Sequence, residues 1–244
     1  MPPSHCENDK ATYVRNMFQS IAPSYDCMNR LITFGRDQTW RRYVVKTAAL
    51  SVGGIMLDLG TGTGMIAMEA LRCDPSVRVI AVDFSLRMMK EGCKKNQSER
   101  LSWHQADAMK LPFKDASVDA VTSGYLMRNV TDVLKALKEQ VRVVKPNGHV
   151  VCLDTTPPPR NLVRPFILFH MKFLIPALGK LIAGNREAYS YLPDSTDAFL
   201  EPIELTAIMK KAGLENVSYR RFMFGTQMVC FGNRPKKRIE FGNQ

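Results

Sequence analysis

Three glycines and two carboxylates are the residues whose types and spacing best suit them to chemistry. Gly60, Gly62 and Gly64 follow the apolar run Ile55–Leu59 and precede a helix-compatible segment, Met65 to Arg72. Gly60 can turn the chain at positive φ, Gly62 lets a ligand approach the backbone, and Gly64 permits close helix packing. A helix N-terminus behind such a loop favours an anionic group, either a phosphate or the carboxylate of an amino-acid moiety. Roughly twenty residues further on, the apolar run Val79–Val82 ends on Asp83, which can accept hydrogen bonds from both hydroxyls of a ribose. Asp107 follows another short strand and can accept from an exocyclic adenine amine. Taken singly, these are a tight turn, a helix cap and a surface acid. Loop and Asp83 together outline a nucleotide-binding βαβ unit. The spacing Gly-x-Gly-x-Gly disfavours a dinucleotide site, and no Gly-Lys-Ser/Thr follows, which excludes a Walker loop.

Arg128 and Asn129 form a second group. They follow the run Val118–Ser123, at the strand end where open α/β sheets place their sites. An arginine there can orient a phenolic oxygen or a water that takes its proton, and can stabilise the developing phenolate. The plainer alternative is a salt bridge and a helix cap before Thr131. Tyr25, Asp26 and Asn29 could close over a ligand, or could simply make a polar turn between helices.

The elements that must position these groups alternate from residue 55 onward. Strands are expected at 55–59, 77–82, 101–105, 118–123 and 149–153, with helices at 64–72, 85–95 (capped by Ser85) and 131–144 (capped by Thr131). Lys145–Gly148 reads as a turn. Before them, residues 1–50 form a helical preface, with Val14, Met17, Phe18 and Ile21 at helical spacing and a break at Pro23. After Pro157, Pro158 and Pro159 comes a mostly helical insertion, 160–192, then a helix at 201–212 stopped by Gly213. Strands at 217–221 and 226–231 close the domain. The fold expected is α/β, a Rossmann-like, seven-stranded, mostly parallel sheet with helices on both faces, an N-terminal helical lid and a helical insertion after strand 5. One domain accommodates all 244 residues. Within it, 51–154 is the cofactor half, 155–195 the insertion or cap, 196–232 the closing helix and strands, and 233–244 a flexible basic tail.

Composition narrows the classes. With 45% hydrophobic and 23% charged residues the chain is globular. Its six cysteines are scattered and its four histidines form no ligand set, so a reducing compartment fits and no metal site is expected. The N-terminus lacks a basic region leading into an apolar run, so no secretory signal is expected and the cytoplasm is the expected location. The longest apolar stretch, Leu162 to Ala183, is interrupted by Arg164, Pro165, His170, Lys172, Pro176 and Lys180, and is not expected to span a bilayer. That insertion mixes aromatic and basic residues. It suits a peripheral contact with an anionic membrane surface, and equally a buried cap or a homodimer interface. The net charge of +11 raises the question of nucleic acid. Against it, the strand 118–123 runs into Ser-Gly-Tyr-Leu rather than Asp/Asn-Pro-Pro-Tyr, and no aromatic-interleaved basic platform is present.

Glycine loop, Asp83 and Asp107 at successive strand ends resemble a class I methyltransferase that binds S-adenosylmethionine. The segments 17–26, 28–35, 111–113, 127–132 and 189–192 are similar to the ubiquinone/menaquinone biosynthesis C-methyltransferases, and the likeness runs from about residue 14 to 232. The resemblance implies cofactor contacts from the loop, Asp58, Gly60, Thr61, Gly62, Thr63 and Gly64, and from Asp83, Phe84, Asp107, Ala108 and Gly124. It implies catalytic roles for Arg128, Asn129 and Asp154, and a lid or acceptor role for Tyr25, Asp26, Asn29, Tyr189 and Tyr191. The implied reaction is transfer of a methyl group to a ring carbon of a demethylated quinol or related aromatic acceptor. The chain departs from the family pattern in several places. Gly124 stands where serine is usual and Asp107 where asparagine is usual. Leu153–Thr156 replaces Glu-Phe-Ser, and Pro193-Asp-Ser follows the tyrosines. The last two departures fall near the acceptor side and leave a specialised small-molecule acceptor, with O-, N- or C-methylation, as the alternative.

Overall fold

The computed structural model describes residues 7–236. Most of the expected basic tail, 233–244, therefore lies outside the described residues. Seven strands, β1 (Ile55–Leu59), β2 (Arg78–Asp83), β3 (Leu101–Gln105), β4 (Val118–Gly124), β5 (Val144–Thr155), β6 (Glu215–Phe222) and β7 (Gln227–Asn233), make one sheet in the order β3-β2-β1-β4-β5-β7-β6. All pairings are parallel except those of β7, which runs antiparallel to both β5 and β6. Chain order reverses between β1 and β4, so a crevice opens at their carboxyl ends.

The central strands are buried on both faces, which is why they read as near-continuous apolar runs rather than alternating ones. Their alternating side chains feed two cores. Leu57, Leu59, Val121, Val150 and Cys152 pack with α6 (Val133–Val143) and α10 (Pro202–Lys211). Met56, Ala120, Val151 and Leu153 pack on the other face with α3 (Asp37–Ala48) and α4 (Met65–Cys73). A third cluster lies off the sheet. It joins α1 (Glu7–Ile21) and α2 (Tyr25–Ile32) to the insertion through Val14, Met17, Ile21, Met28, Ile32, Met171, Ile175, Tyr189 and Tyr191. The helices α1 and α2 and the insertion are thus two halves of one cap over the crevice, whereas α3, also in the expected N-terminal lid, packs on the sheet.

Several expectations shift in detail. The helix expected to start at Thr131 is capped by Asp132, whose side chain accepts from Lys135 N, while the Thr131 hydroxyl turns to Met109 Sδ. Ser85 does cap α5 (Leu86–Lys95), as expected. The Lys145–Gly148 turn lies inside β5 instead of before it. Asn147 takes φ 63° and the register with β4 slips between Val118 and Ala120, an irregularity the strand absorbs without ending.

The insertion holds α7 (Arg164–Phe169), a π-helical turn at His170–Leu174, α8 (Ile175–Ala183) and α9 (Arg186–Asp197). Pro176 has no N–H to give to the preceding turn, and the π turn widens the helix where that bond is missing. From Arg164 to Ala183 the helix is continuous. By length and composition it is apolar enough to cross a membrane, and most of it is not buried in the protein.

Candidate active site

At the carboxyl end of β1 the chain turns through three glycines, all at positive φ: 62° at Gly60, 59° at Gly62 and 80° at Gly64. At Gly64 a side chain would also meet Trp103, since an added Cβ would lie 2.6 Å from its Cη2. Thr61 N bonds Val82 O at 2.9 Å and Gly62 N bonds Asp83 Oδ2 at 2.8 Å, so β2 holds the loop from the side. From below, fully buried Asp58 accepts from the hydroxyls of Thr61 (2.6 Å) and Thr122 (2.8 Å). Burial pushes the Asp58 carboxyl up to about 6, against the pull of those two hydroxyls. Thr63 donates at 2.6 Å to Asp26 Oδ1 on α2, and Lys95 pairs with the other oxygen of Asp26. The cap is thereby fastened to the glycine loop.

A cavity opens above this loop. Gly60, Gly62, Asp83, Phe84, Asp107, Ala108 and Gly124 line it from the sheet side, and Val14, Arg15, Phe18 and Tyr25 from the cap. Asp83 faces it with each oxygen already holding one backbone N–H, Gly62 on Oδ2 and Ser85 on Oδ1. A carboxylate oxygen accepts more than one bond, so this bracing leaves capacity for a ligand hydroxyl. Burial raises the Asp83 pKa, opposed by the backbone donors. Phe84 is exposed beneath the Arg15 guanidinium, 5.4 Å away, and Arg15 Nε has no partner. An aromatic face, two carboxylates and bare backbone at a glycine loop fit a nucleoside carrying an amino-acid tail. Asp58, Thr61, Thr63 and Gly64 do not line the cavity. Their work is to fix the loop's shape.

A second cavity adjoins the first and shares Phe18, Tyr25 and Tyr125 with it. Its polar side chains include Asn29, Arg128, Tyr189 and Tyr191, among apolar Met17, Ile21, Ile32 and Leu192. Arg128 Nη1 bonds Asp154 Oδ1 at 2.5 Å, and Asp154 also accepts from Arg128 N and Thr155 N. Burial acts to lower the Arg128 pKa, but the Asp154 charge and hydrogen bond outweigh it and the guanidinium stays fixed as a cation. Asp154 itself is fully buried and lines neither cavity. Its hydrogen bonds to the Arg128 guanidinium and backbone N–H hold that side chain in place. Arg128 Nε is buried without a partner. Burial pushes Tyr189 up to about 12, so at neutral pH it is a donor.

Asn129 lines the first cavity and ties the two together. Its Nδ2 donates to Tyr125 O at 2.7 Å and its Oδ1 accepts from the Tyr191 hydroxyl at 3.1 Å. Tyr25 belongs to both cavities, whereas Asp26 is the latch to Thr63. Three contributors escape a local reading. Tyr125, at φ 57°, stacks under Arg128 with 5.2 Å between guanidinium carbon and ring centre. Its hydroxyl accepts from Trp40 Nε1 at 3.0 Å and donates to Gln227 at 3.1 Å. Those partners lie 85 and 102 residues away in sequence. The one local signal is that Tyr125 directly follows Gly124.

The fold and paired cavities define an α/β group-transfer enzyme with a nucleoside-type cofactor site and a capped acceptor chamber. The chain belongs to the ubiE/COQ5 methyltransferase family, whose match covers residues 6–234. It is accordingly an S-adenosylmethionine-dependent methyltransferase. Among curated relatives, the ubiquinone/menaquinone biosynthesis C-methyltransferase UbiE of Desulfotalea psychrophila is 44% identical over 91% of each chain. The demethylmenaquinone methyltransferase of a Roseiflexus species is 40% identical over 91% of this chain and 94% of its own. Among solved structures, a SAM-dependent methyltransferase from Aquifex aeolicus matches with TM-score 0.60 at 19% identity, covering 85% of this chain and 97% of that one. Phosphoethanolamine N-methyltransferase 2 of Haemonchus contortus, in complex with S-adenosylhomocysteine, matches with TM-score 0.62 at 16% identity over 81% and 53%. These last two show the fold.

Proposed function

We propose that the chain methylates a ring carbon of a demethylated quinol of the ubiquinone or menaquinone type, with the cofactor in the first cavity and the quinol ring in the second. The observation that carries this reading is the unpartnered Nε of buried Arg128, set in an otherwise mostly apolar chamber that shares three aromatic side chains with the cofactor cavity. A buried donor without a partner is costly, and a quinol oxygen would satisfy it. The names of the curated relatives point to the same acceptor class.

S-adenosylmethionine, when bound, supplies an electrophilic methyl group. The chain's own contribution is to align the acceptor and stabilise its charge. Arg128 Nε donates to the acceptor oxygen and holds it as a phenolate after its proton leaves. The oxygen's charge is delocalised to the neighbouring ring carbon, which forms the new C–C bond as the methyl–sulfur bond breaks; the hydroxyl proton beforehand, and the ring proton afterwards to restore aromaticity, both pass to a single water admitted with the acceptor. Tyr189 gives a second donor at the far wall. Phe18, Tyr25 and Tyr125 fix the ring's approach and keep bulk water out. Residues 160–192 bring a membrane surface to the chamber, and the protein works in the cytoplasm at that surface.

The test is direct assay of purified protein with demethylated quinols and, in parallel, unrelated phenols and amines. Methylation of the quinols alone is expected. Turnover only with the unrelated acceptors would overturn the reading and favour a specialised-metabolite enzyme, the alternative suggested by Leu153–Thr156.

A further inference from the structure

The outer face of the insertion has the makings of a surface for lipid. Phe166, Phe169 and Phe173 are 76%, 57% and 65% exposed, and Leu162 and Leu181 continue the same ridge at 95% and 82%. Phe166, Phe169, Phe173 and Leu181 are three, four or eight residues apart, so they fall on one side of the helix, and Leu162 adjoins them from the turn before it. Phe34, 72% exposed on the turn after α2, stands beside it with its ring 5.5 Å from that of His170. Soluble surfaces rarely leave so many large apolar side chains contiguous.

The charges carried by the segment that bears this ridge are of one sign. From Thr155 to Arg186 the sequence contains no acid, while Arg160, Arg164, Lys172 and Lys180 are present and exposed. Across the ridge, Arg30 and Arg36 flank Phe34 and are also exposed. The acids that face the insertion come from α9 packed behind it, and of these Asp197 pairs with Lys172 at 3.2 Å. At the start of the helix, Arg160, Asn161 and Arg164 line an open cavity together with Leu162, Pro165 and Leu168. Two guanidinium groups and an amide beside apolar side chains match a phosphate ester carrying an acyl chain.

The opposite side of the helix is committed to the protein. Met171 and Ile175 sit in the cap core, His170 Nε2 lies 3.1 Å from Ile32 O, and Gly179 lets Tyr189 pack where a Cβ would lie 2.5 Å from its ring. A helix held on one face cannot thread a bilayer without giving up those contacts, but it can lie along one.

We propose that the exposed face of residues 160–183, with Phe34, docks on an anionic phospholipid bilayer, the aromatic ridge in the acyl boundary and a headgroup phosphate between Arg160 and Arg164. This deepens the quinol reading, on which it rests for its purpose: Tyr189 of α9 and Ile32 of α2, packed against the inner side of this helix, line the acceptor chamber, so an acceptor dissolved in lipid arrives where the chamber is. The occupant is identified by the uniform positive charge of the segment that bears the apolar ridge, a pattern that a second copy of this equally basic face would repel.

Vesicle flotation of the full chain tests it, using phosphatidylcholine alone and phosphatidylcholine with phosphatidylglycerol. Binding is expected only to the second, and weaker as salt rises. Phe166→Ser with Phe169→Ser, and separately Arg160→Gln with Arg164→Gln, are each expected to lower partitioning about tenfold. Methylation of a truncated, water-soluble quinol should be unchanged in both, whereas that of a vesicle-borne quinol should fall. The proposal is overturned if the unaltered chain does not float with anionic vesicles, or if either double variant partitions as well as it does. A dimer that the Phe166→Ser, Phe169→Ser pair dissociates, with no lipid binding in either form, would assign the face to a second copy. Retained vesicle binding with no quinol methylated would defeat the substrate reading and leave the docking face standing.

Discussion

Arg128 and Asp154 are a buried pair whose side chains are 6% and 0% exposed. Removing one partner from such a pair strands the other, so Arg128→Ala is expected to cost about 3–5 kcal/mol in stability as well as turnover. Replacing both, Arg128→Met with Asp154→Leu, should recover most of the stability in denaturant titration and none of the turnover. Cofactor binding by calorimetry separates the two sites. Arg128→Ala should keep it, whereas Asp83→Ala should lose it, because that carboxylate both faces the cavity and anchors Gly62 N. Equal loss in both variants would undo the assignment. Asp58 carries a pH signature. Its folded-state pKa of about 6 lies above that of an unfolded aspartate, so its contribution to stability is full at acidic pH and is lost as pH rises through about 6. Relative to Asp58→Asn, the unaltered chain should therefore lose about 2–3 kcal/mol between pH 4 and 7, read as the difference of two unfolding curves.

At the scale of elements, what could be read in the sequence was what is local. The glycine turn, the Ser85 cap and the stop at Gly213 are decided within a few residues, and the apolar periods around them carry the strands and helices. Where two cap-capable residues adjoin, as at Thr131 and Asp132, local spacing does not choose between them. The choice falls to Asp132 while Met109 draws the threonine aside. The partners that turn Asp154 into a support for Arg128 and Tyr125 into a wall come from elements far apart in the chain, which no spacing rule encodes. Two predictions belong here. Gly64→Ala places a Cβ at φ 80° against Trp103 and should destabilise the fold by about 2–4 kcal/mol. Asp26→Ala removes the latch between α2 and the loop. It should weaken cofactor binding about three- to tenfold without changing the Tm by more than a few degrees.

On the scale of the whole molecule, the sheet order follows from the βαβ rhythm of the first half and needs only the reversed β7 to close it. The cap was less legible, because its two halves lie far apart in the chain and meet in the cluster around Ile32, Met171 and Tyr189. That arrangement has a kinetic consequence. Phe18 and Tyr25 come from the cap, yet they line both cavities, so any movement that opens the first also dismantles a wall of the second. With the proposed assignment of the two cavities, the expected order is cofactor first and acceptor second, with the demethylated cofactor the last to leave. Steady-state product inhibition should show S-adenosylhomocysteine competing with S-adenosylmethionine but not with the acceptor. The enzyme's working rate then depends on how quickly its surroundings clear that product.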